Sequence, residues 1–493
     1  MNLKNAIARR GPLLGGALFA ALAGCAAGPD FRAPAAPAVD GYRKEALPAA
    51  TVAAKVPTGD AQRFVAGADV PAQWWTTFAN DELSRRIAQA LAHSPSIASA
   101  QAALRQAQQN ANAAHGSLLP SVDAAAGVQR ANANGLGTTA EPGGPSVFTL
   151  YNAGVKVNYT LDLFGGVRRG IEAQNALADY QRFQLEGTYQ TLAANVATAS
   201  FREASLRAQI RATEDIVGAY GKELKLTEAQ NQIGSKSLAD VLVIRTQVAT
   251  AEATLPPLRQ QLAQTQTQLA VYLGEFPSRA QLAALDLDAL SLPVDVPVSL
   301  PSTLTRQRPD VRAAEAVLHQ ATAQVGVATA NLFPQLTLSG SLSSQALHSG
   351  DLFSSGTKAW SLGANLLQPI FHGGSLRAQK RAAEAGLDKA AADYQSTVLG
   401  AFQNVADALR ALELDAENLK AQAQAEQSAS NSLELVRVQY RSGSASYLQE
   451  LDASRQYQQT RLGLIQARAA RLADTAALYT ALGGGWPKSA TAD

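Results

Sequence analysis

The sequence is poor in the residues that catalysis and metal binding draw on. Among 493 residues there are one cysteine, one methionine and five histidines. A lone cysteine excludes any disulfide within the chain, so an oxidising compartment adds no covalent staple. His93, His115, His319, His348 and His372 have no second ligand at metal spacing, and they are expected at helix ends or on surface loops. Gly-x-Ser-x-Gly, HExxH and phosphate-loop patterns are missing, and PGGPS (142–146) is followed by no lysine. An enzyme reading therefore has nothing to stand on. Charged residues are only 17% and the net charge is +2, so no electrostatic argument points to nucleic acid. Beyond the leader no run of 18 apolar residues occurs, so no membrane-spanning helix is expected.

Hydrophobic residues make up 46% of the chain, ordinary for a folded protein. The start has its own character. Lys4, Arg9 and Arg10 form a basic region, GPLLGGALFAALAG follows as a short apolar one, and Leu22-Ala23-Gly24-Cys25 closes it. That is the layout of a secretion signal. Its lone Cys25 resembles the lipobox of bacterial lipoproteins, which implies that the thiol is acylated and residues 1–24 are removed. Several acyl chains anchor stably where one holds only marginally. Ala26 rather than Asp follows, which by the same resemblance favours the outer membrane. Residues 25–72, rich in Ala, Pro and Gly, read as a lipidated N-terminal tether wrapping a surface.

The rest repeats itself once. SPSIASAQAALRQAQQNANAAHGSLLPSV (94–122) has the layout of RPDVRAAEAVLHQATAQVGVATANLFPQL (308–336), with Pro95 recurring as Pro309 and Pro120 as Pro334. NQIGSKSLADVL (231–242) parallels QYRSGSASYLQEL (439–451), and YLGEFP (272–277) parallels ALGGGWP (481–487). The first repeat spans 73–305: strands near 121–132 and 150–164, long helices near 168–232 and 237–273, and an equatorial segment near 274–305. The second spans 306–486: strands near 335–345 and 359–371, helices near 375–441 and 446–482. A short tail, 487–493, follows.

The long helices show period 3.5. Leu185, Tyr189, Leu192, Val196 and Ala199 open a series that continues through Leu206, Ile210, Val217, Tyr220 and Leu224, with Glu203 and Thr213 as polar interruptions. Val398, Phe402, Val405, Leu409, Leu412, Ala416 and Leu419 repeat it. This spacing denotes a coiled coil. A helix over 170–232 extends roughly 95 Å at 1.5 Å per residue, beyond what a compact domain needs.

The strands have period two. In YNAGVKVNYTLDLF (151–164), Tyr151, Ala153, Val155, Val157, Tyr159, Leu161 and Leu163 share one face, and Asn152, Lys156, Asn158, Thr160 and Asp162 the other. Leu336, Leu338 and Leu342 likewise oppose Thr337, Ser339, Ser341 and Ser343. Pro369 is expected to end the last strand. An ordinary sheet covering a core on one side fits this alternation, and so does a membrane wall with one face to lipid and one to water. Four strands cannot close a membrane barrel, and open edges cannot lie in lipid. In the second case several chains must therefore share one barrel. Tyr151, Trp360 and Phe371 are candidates for membrane interfaces or for core packing, and Lys156 and Asp162 for the wet face.

QWWTTFANDELSRRIAQALAHSP, TRQRPDVRAAEAVL, ANLFPQLTLSG and the turns at Gly234 and Gly443, in this order and duplicated, resemble the outer-membrane efflux channels of TolC and OprM type, in their lipoprotein branch. The resemblance implies an α+β membrane protein: a homotrimer whose four strands per chain close a 12-stranded β-barrel, continued by a long periplasmic α-helical barrel of coiled-coil hairpins. It implies an outer-membrane channel, lipid-anchored and reaching into the periplasm, that passively conducts drugs and other small molecules. The implied partners are a periplasmic adaptor protein and an inner-membrane RND transporter, a drug/proton antiporter. No cofactor is implied beyond the covalent lipid on Cys25. Gly234 and Gly443 would turn the hairpins that meet the adaptor. Leu448, Asp452 and Arg455, spaced four and three on one helical face, match the apolar and Asp/Arg constriction of the OprM-like channels, and Asp240 matches an acidic position of the TolC-type gate. Without the resemblance, Asp452 and Arg455 read as a solvated pair of little energy. Rival readings are a type I secretion exit duct and a periplasmic adaptor lipoprotein. The adaptor needs a lipoyl-like β domain that the sequence does not display.

Overall fold

A computed structural model describes residues 26–132 and 147–484. Cys25, the signal segment, the ANGLGTTAEPGGPS loop and the 487–493 tail lie outside the described residues. The elements in order are β1 (Arg63–Ala66), α1 (Asp81–His93), α2 (Pro95–Gly116), β2 (Ser121–Asn132), β3 (Val147–Leu161), α3 (Gly166–Gln232), α4 (Leu238–Tyr272), β4 (Asp295–Val298), α5 (Pro301–Gln307), α6 (Pro309–Ala330), β5 (Gln335–Ala346), β6 (Lys358–Leu367), α7 (Ser375–Arg441) and α8 (Tyr447–Ala481). The duplication is visible in the lengths: α3 and α7 have 67 residues each, α4 and α8 35, α2 and α6 22, β2 and β5 12.

The chain forms two compact units. The first comprises residues up to 34, 104–181 and 314–394. It holds one antiparallel sheet in the order β2-β3-β5-β6. β3 begins three residues before the expected 150 and ends at Leu161, so Asp162 and Leu163 leave the strand. The reason lies in Asp162. Its carboxylate accepts hydrogen bonds from the Val167 and Arg168 amides (3.0 and 2.9 Å) and pairs with the Arg168 guanidinium at 3.1 Å. It thus satisfies orphan donors at the start of α3; it is a helix cap, and the reading of it as a wet-face residue is corrected. β6 stops at Leu367, two residues before Pro369, and Phe371 lies beyond it.

The N-terminal segment is also built in. Within this unit the Ala27 amide donates to the Phe164 carbonyl at 2.8 Å, and Asp30 pairs with the buried Arg169 at 2.5 Å. Phe31 stacks on His319 with ring centroids 4.2 Å apart. His319 bonds Glu172 through Nε2 at 2.9 Å, so this histidine belongs to an inter-helical network and not to a helix end.

The second unit comprises 35–103, 182–313 and 395–493. β1 pairs in parallel with β4, so the tether supplies a strand. QWWTTFAN forms a single-turn 3-10 helix, Trp74–Phe78. Asn80 then caps α1 by accepting from the Leu83 amide at 2.9 Å. Trp74 packs on Tyr479 (5.6 Å) and Phe78 on Phe201 (4.9 Å). In the heptad series, Leu192, Val196, Leu206 and Ile210 are buried, as are Val405, Leu409, Leu412 and Leu419. The polar interruptions are buried with them. Glu203 is paired with Arg86, and the Thr213 hydroxyl donates to the Gln209 carbonyl one turn back. No described helix is long and apolar enough to cross a membrane.

Candidate functional site: sheet faces and hairpin ends

In an antiparallel ladder, paired residues point to the same face, so the register assigns every side chain of the sheet. Val122 pairs with Val157, and Val128 with Tyr151. Val155 pairs with Leu342, Tyr159 with Leu338 and Leu161 with Leu336. Leu342 pairs with Trp360, Gly340 with Leu362 and Leu336 with Leu366. These residues form one apolar face across all four strands. The other face carries Asp123 opposite Lys156, Asn158 opposite Ser339, Thr160 opposite Thr337, and Ser341 opposite Ser361. The Ser341 and Ser361 hydroxyls hydrogen-bond at 2.8 Å.

Among the described residues nothing covers the apolar face. Val122 is 66% exposed, Trp360 75% and Leu362 81%. An apolar surface of this extent marks a partner or a membrane. The ordinary-core reading of the strands is thereby excluded within the described residues. Trp360 lies on this face and Tyr151 is on it as well, whereas Phe371 is 86% exposed just past the strand; none of the three is core.

The hairpin ends are defined by backbone chemistry. Gly234 has φ +79° and Gly443 φ +78°. The Gly234 amide donates to the Asn231 carbonyl and the Ser235 amide to the Gln230 carbonyl; Gly443 and Ser444 repeat this on Tyr440 and Gln439. Each is a helix terminus closed by a left-handed glycine. Both following helices open on a capping box, Ser237 with Asp240 and Ser446 with Gln449.

The predicted gate residues fall into two groups. Leu448, Asp452 and Arg455 are exposed on α8, and Arg455 Nη2 meets Asp452 Oδ1 at 2.5 Å. Asp240 makes its bonds elsewhere. Its Oδ2 accepts from the Ser237 amide and hydroxyl at 3.0 and 2.8 Å, and these bonds hold its carboxyl below the usual range.

A further cluster at the same end was not foreseen. Lys236 Nζ lies 2.8 Å from the Tyr440 hydroxyl, 5.1 Å from that ring's centre and 5.9 Å from that of Tyr447. The bond to Tyr440 raises the Lys236 pKa. Glu450 pairs with Arg437 at 3.5 Å, while burial and the neighbouring Glu223 raise its carboxyl. Leu451 of α8 packs on a cluster of Ile216, Tyr220 and Ala251 from α3 and α4. Both hairpins are therefore joined by one cation, two rings and an apolar contact. The sequence held no direct signal for this: Lys236 and Tyr447 follow the hairpin glycines Gly234 and Gly443, but nothing in either hairpin shows that the two meet.

A sheet with one apolar face left uncovered by the described residues and one polar face, in a chain that also folds two long helical hairpins, has the parts a membrane conduit subunit needs. The comparisons agree. The sequence profile of the outer membrane efflux protein family matches residues 87–275 and 300–484. The chain is 34% identical to the pyoverdine export outer membrane protein OpmQ of Pseudomonas aeruginosa, over 84% of this chain and 87% of the relative. It is 33% identical to the antibiotic efflux pump outer membrane protein ArpC of Pseudomonas putida, over 94% and 93%. Its fold matches the outer-membrane channel OprN with a TM-score of 0.81 at 28% identity, covering 94% of this chain and all of that one. The chain belongs to the outer membrane efflux protein family, and it has the α+β fold of the outer-membrane efflux channels.

Proposed function

We propose that three copies of the chain join edge to edge, β6 of one to β2 of the next, into a closed twelve-stranded barrel, with the hairpin ends as its periplasmic gate. The observation that carries this is the register of the sheet. It puts Val155, Leu342 and Trp360 on one face and Lys156, Ser341 and Ser361 on the other, and among the described residues the outer edges of β2 and β6 have no strand partner. Strands of 10 to 15 residues meet the ~9–11 needed to cross a bilayer. Open edges in lipid are prohibitive and closure removes them.

Lipid anchorage at Cys25 is supported by the residue bonded to it. Ala26 sits beside Gly165, at the junction of β3 and α3, where the proposed membrane wall gives way to helix. In the proposed role the chain supplies no catalytic group; it passes drugs and other small molecules outward from a periplasmic adaptor and an inner-membrane RND transporter. The mostly neutral hydroxyl and amide face suits a passive wall. Relatives named for pyoverdine export, antibiotic efflux and cation efflux support small cargo of varied chemistry. Leu448, Asp452 and Arg455, brought round the axis in three copies, form the constriction in this reading; three carboxylates repel unless each is offset by its arginine.

Single-channel recording of the purified, lipidated protein tests both parts. Wild type gives a low resting conductance, and Asp452→Ala with Arg455→Ala raises both conductance and antibiotic entry into cells. A protein that stays monomeric and conducts nothing in a bilayer overturns the channel reading. Unchanged conductance in the double variant overturns only the gate.

A further inference from the structure

Residues 51–62 form a strap held by one cation. Arg471 of α8 is wholly buried. Its Nη1 donates to the Thr58 carbonyl at 3.1 Å, and its Nη2 to Thr51 Oγ1 at 3.0 Å and the Asp60 carbonyl at 2.7 Å. Its Nε is buried and meets no acceptor. Next to it, the strap closes on itself: the Thr51 amide donates to the Gln62 carbonyl, and the Gln62 amide to Thr51 Oγ1. Gln62 reaches Thr475, one turn along α8 from Arg471, at 3.1 Å. None of the three hydrogen bonds from Arg471 ends on a carboxylate.

The compensating charge lies on the other side. Asp415 of α7 is half-buried, and its Oδ2 is sealed from water with no donor in reach among the described residues. Two groups act on it, both from α8: Asp474, within side-chain hydrogen-bonding range, and Arg471. From the strap, Asp60 acts on Arg471. Asp474 in turn lines an open groove of about 790 Å³, which gives the pair contact with water. Asp415 thus has one carboxylate and one guanidinium acting on it, and its sealed oxygen has no donor to hold a negative charge. A proton retained on Asp415 removes the repulsion from Asp474 and supplies the missing donor between the two carboxyls.

We propose that Asp415 retains its proton and directs it at Asp474, and that this proton is a pH-operated fastener holding the N-terminal strap and α8 against α7. When it leaves to water through the groove, two like charges face each other across the helix pair and the packing behind Arg471 loosens. Burial and Asp474 push the Asp415 carboxyl up from 3.8 to about 7; burial lowers the Arg471 guanidinium to about 10, so it keeps its charge throughout this range. The sign follows from linkage. The folded pKa is raised, so the stabilisation is complete below the unfolded value and is lost as pH rises through about 7.

The test uses the full-length, detergent-solubilised protein. Thermal midpoints and hydrogen exchange of residues 51–62, corrected for intrinsic rate, are read from pH 5 to pH 8.5. In wild type the midpoint falls and strap exchange rises with pH, with folding weakened up to tenfold per pH unit across the window. Asp415→Asn carries a permanently neutral donor, so it removes that dependence and lacks the infrared band of a protonated carboxyl present in wild type at pH 6. Asp474→Asn, which removes the like charge, serves the same purpose if the first variant does not fold. Equal pH dependence in wild type and either variant, or no protonated carboxyl band, overturns the proposal.

Discussion

Arg86 Nη1 meets Glu203 Oε2 at 2.7 Å with both side chains fully withdrawn from solvent. Arg86 also donates to the Ala283 carbonyl at 2.6 Å, and Arg207 bonds the second Glu203 oxygen at 2.9 Å. One pair therefore ties α1, α3 and the equatorial segment together. Removing one member of a buried pair strands the other, at a cost of about 3–5 kcal/mol. Glu203→Ala leaves the buried Arg86 with Glu82, at 2.9 Å, as its one remaining carboxylate partner, so the expected destabilisation lies at the lower end of this range, read from denaturant midpoints. Replacing both residues by apolar ones of similar volume recovers most of the loss, because the charges that lose a partner, Glu82 and Arg207, both reach solvent.

Glycines at positive φ separate into two kinds. At Gly443 a Cβ would meet nothing within 4 Å, whereas at Gly483 it would stand 2.9 Å from the Gln307 carbonyl oxygen. Gly443→Ala then carries only the left-handed backbone cost, roughly 1–2 kcal/mol. Gly483→Ala adds a backbone collision and loses more. Thermal melts of the two variants rank them, and equal losses would contradict the geometry.

The sequence made the helices legible because their signals are local. Prolines, capping residues and left-handed glycines act within one turn, and the heptads from Leu185 and Val398 count off the buried stripe directly. The strand faces were equally legible, since side-chain period two needs no knowledge of neighbours. What the sequence hid was long-range. Asp162 continues the alternation of β3 by composition, yet six residues on, the start of α3 claims its carboxylate. Glu203 reads as a heptad interruption until Arg86, far back in the chain, is brought onto it. The cluster of Lys236, Tyr440 and Tyr447 depends on two hairpins meeting, which no spacing within either announces.

That cluster predicts a leak without a loss of fold. Lys236 is partly buried at the hairpin end, and a cation over a ring with access to water contributes about 0.5–1 kcal/mol. Lys236→Ala should barely move the melting temperature. In the proposed trimer the three small losses act together on the proposed gate. Their sum, about 1.5–3 kcal/mol, raises the open population on the order of 10–100-fold. Tyr440→Phe loses the hydroxyl bond and keeps the ring, so its rise in conductance should be smaller. Bilayer recording compares the two, and an equal or reversed order rejects the latch.

The barrel reading makes its sharpest prediction on two adjacent residues. Leu342 lies on the apolar face beside Val155 and Trp360, while Ser341 points the other way, beside Lys156 and Ser361. Both positions are near the middle of β5, so each arginine would enter at comparable depth, and backbone pairing is the same for either. Only the solvent behind the side chain differs. Facing lipid near the midplane, an arginine costs about 2–4 kcal/mol; facing a water-filled lumen it keeps its hydration, and Lys156 shows that a cation is tolerated there. Leu342→Arg should therefore reduce folding into lipid vesicles by one to three orders of magnitude in the equilibrium constant, roughly tenfold per 1.4 kcal/mol. Ser341→Arg should fold normally and shift ion selectivity toward anions, since three added cations would ring the lumen. If the two arginines have the same effect on insertion, the faces are not divided between lipid and water, and the strands serve some other surface.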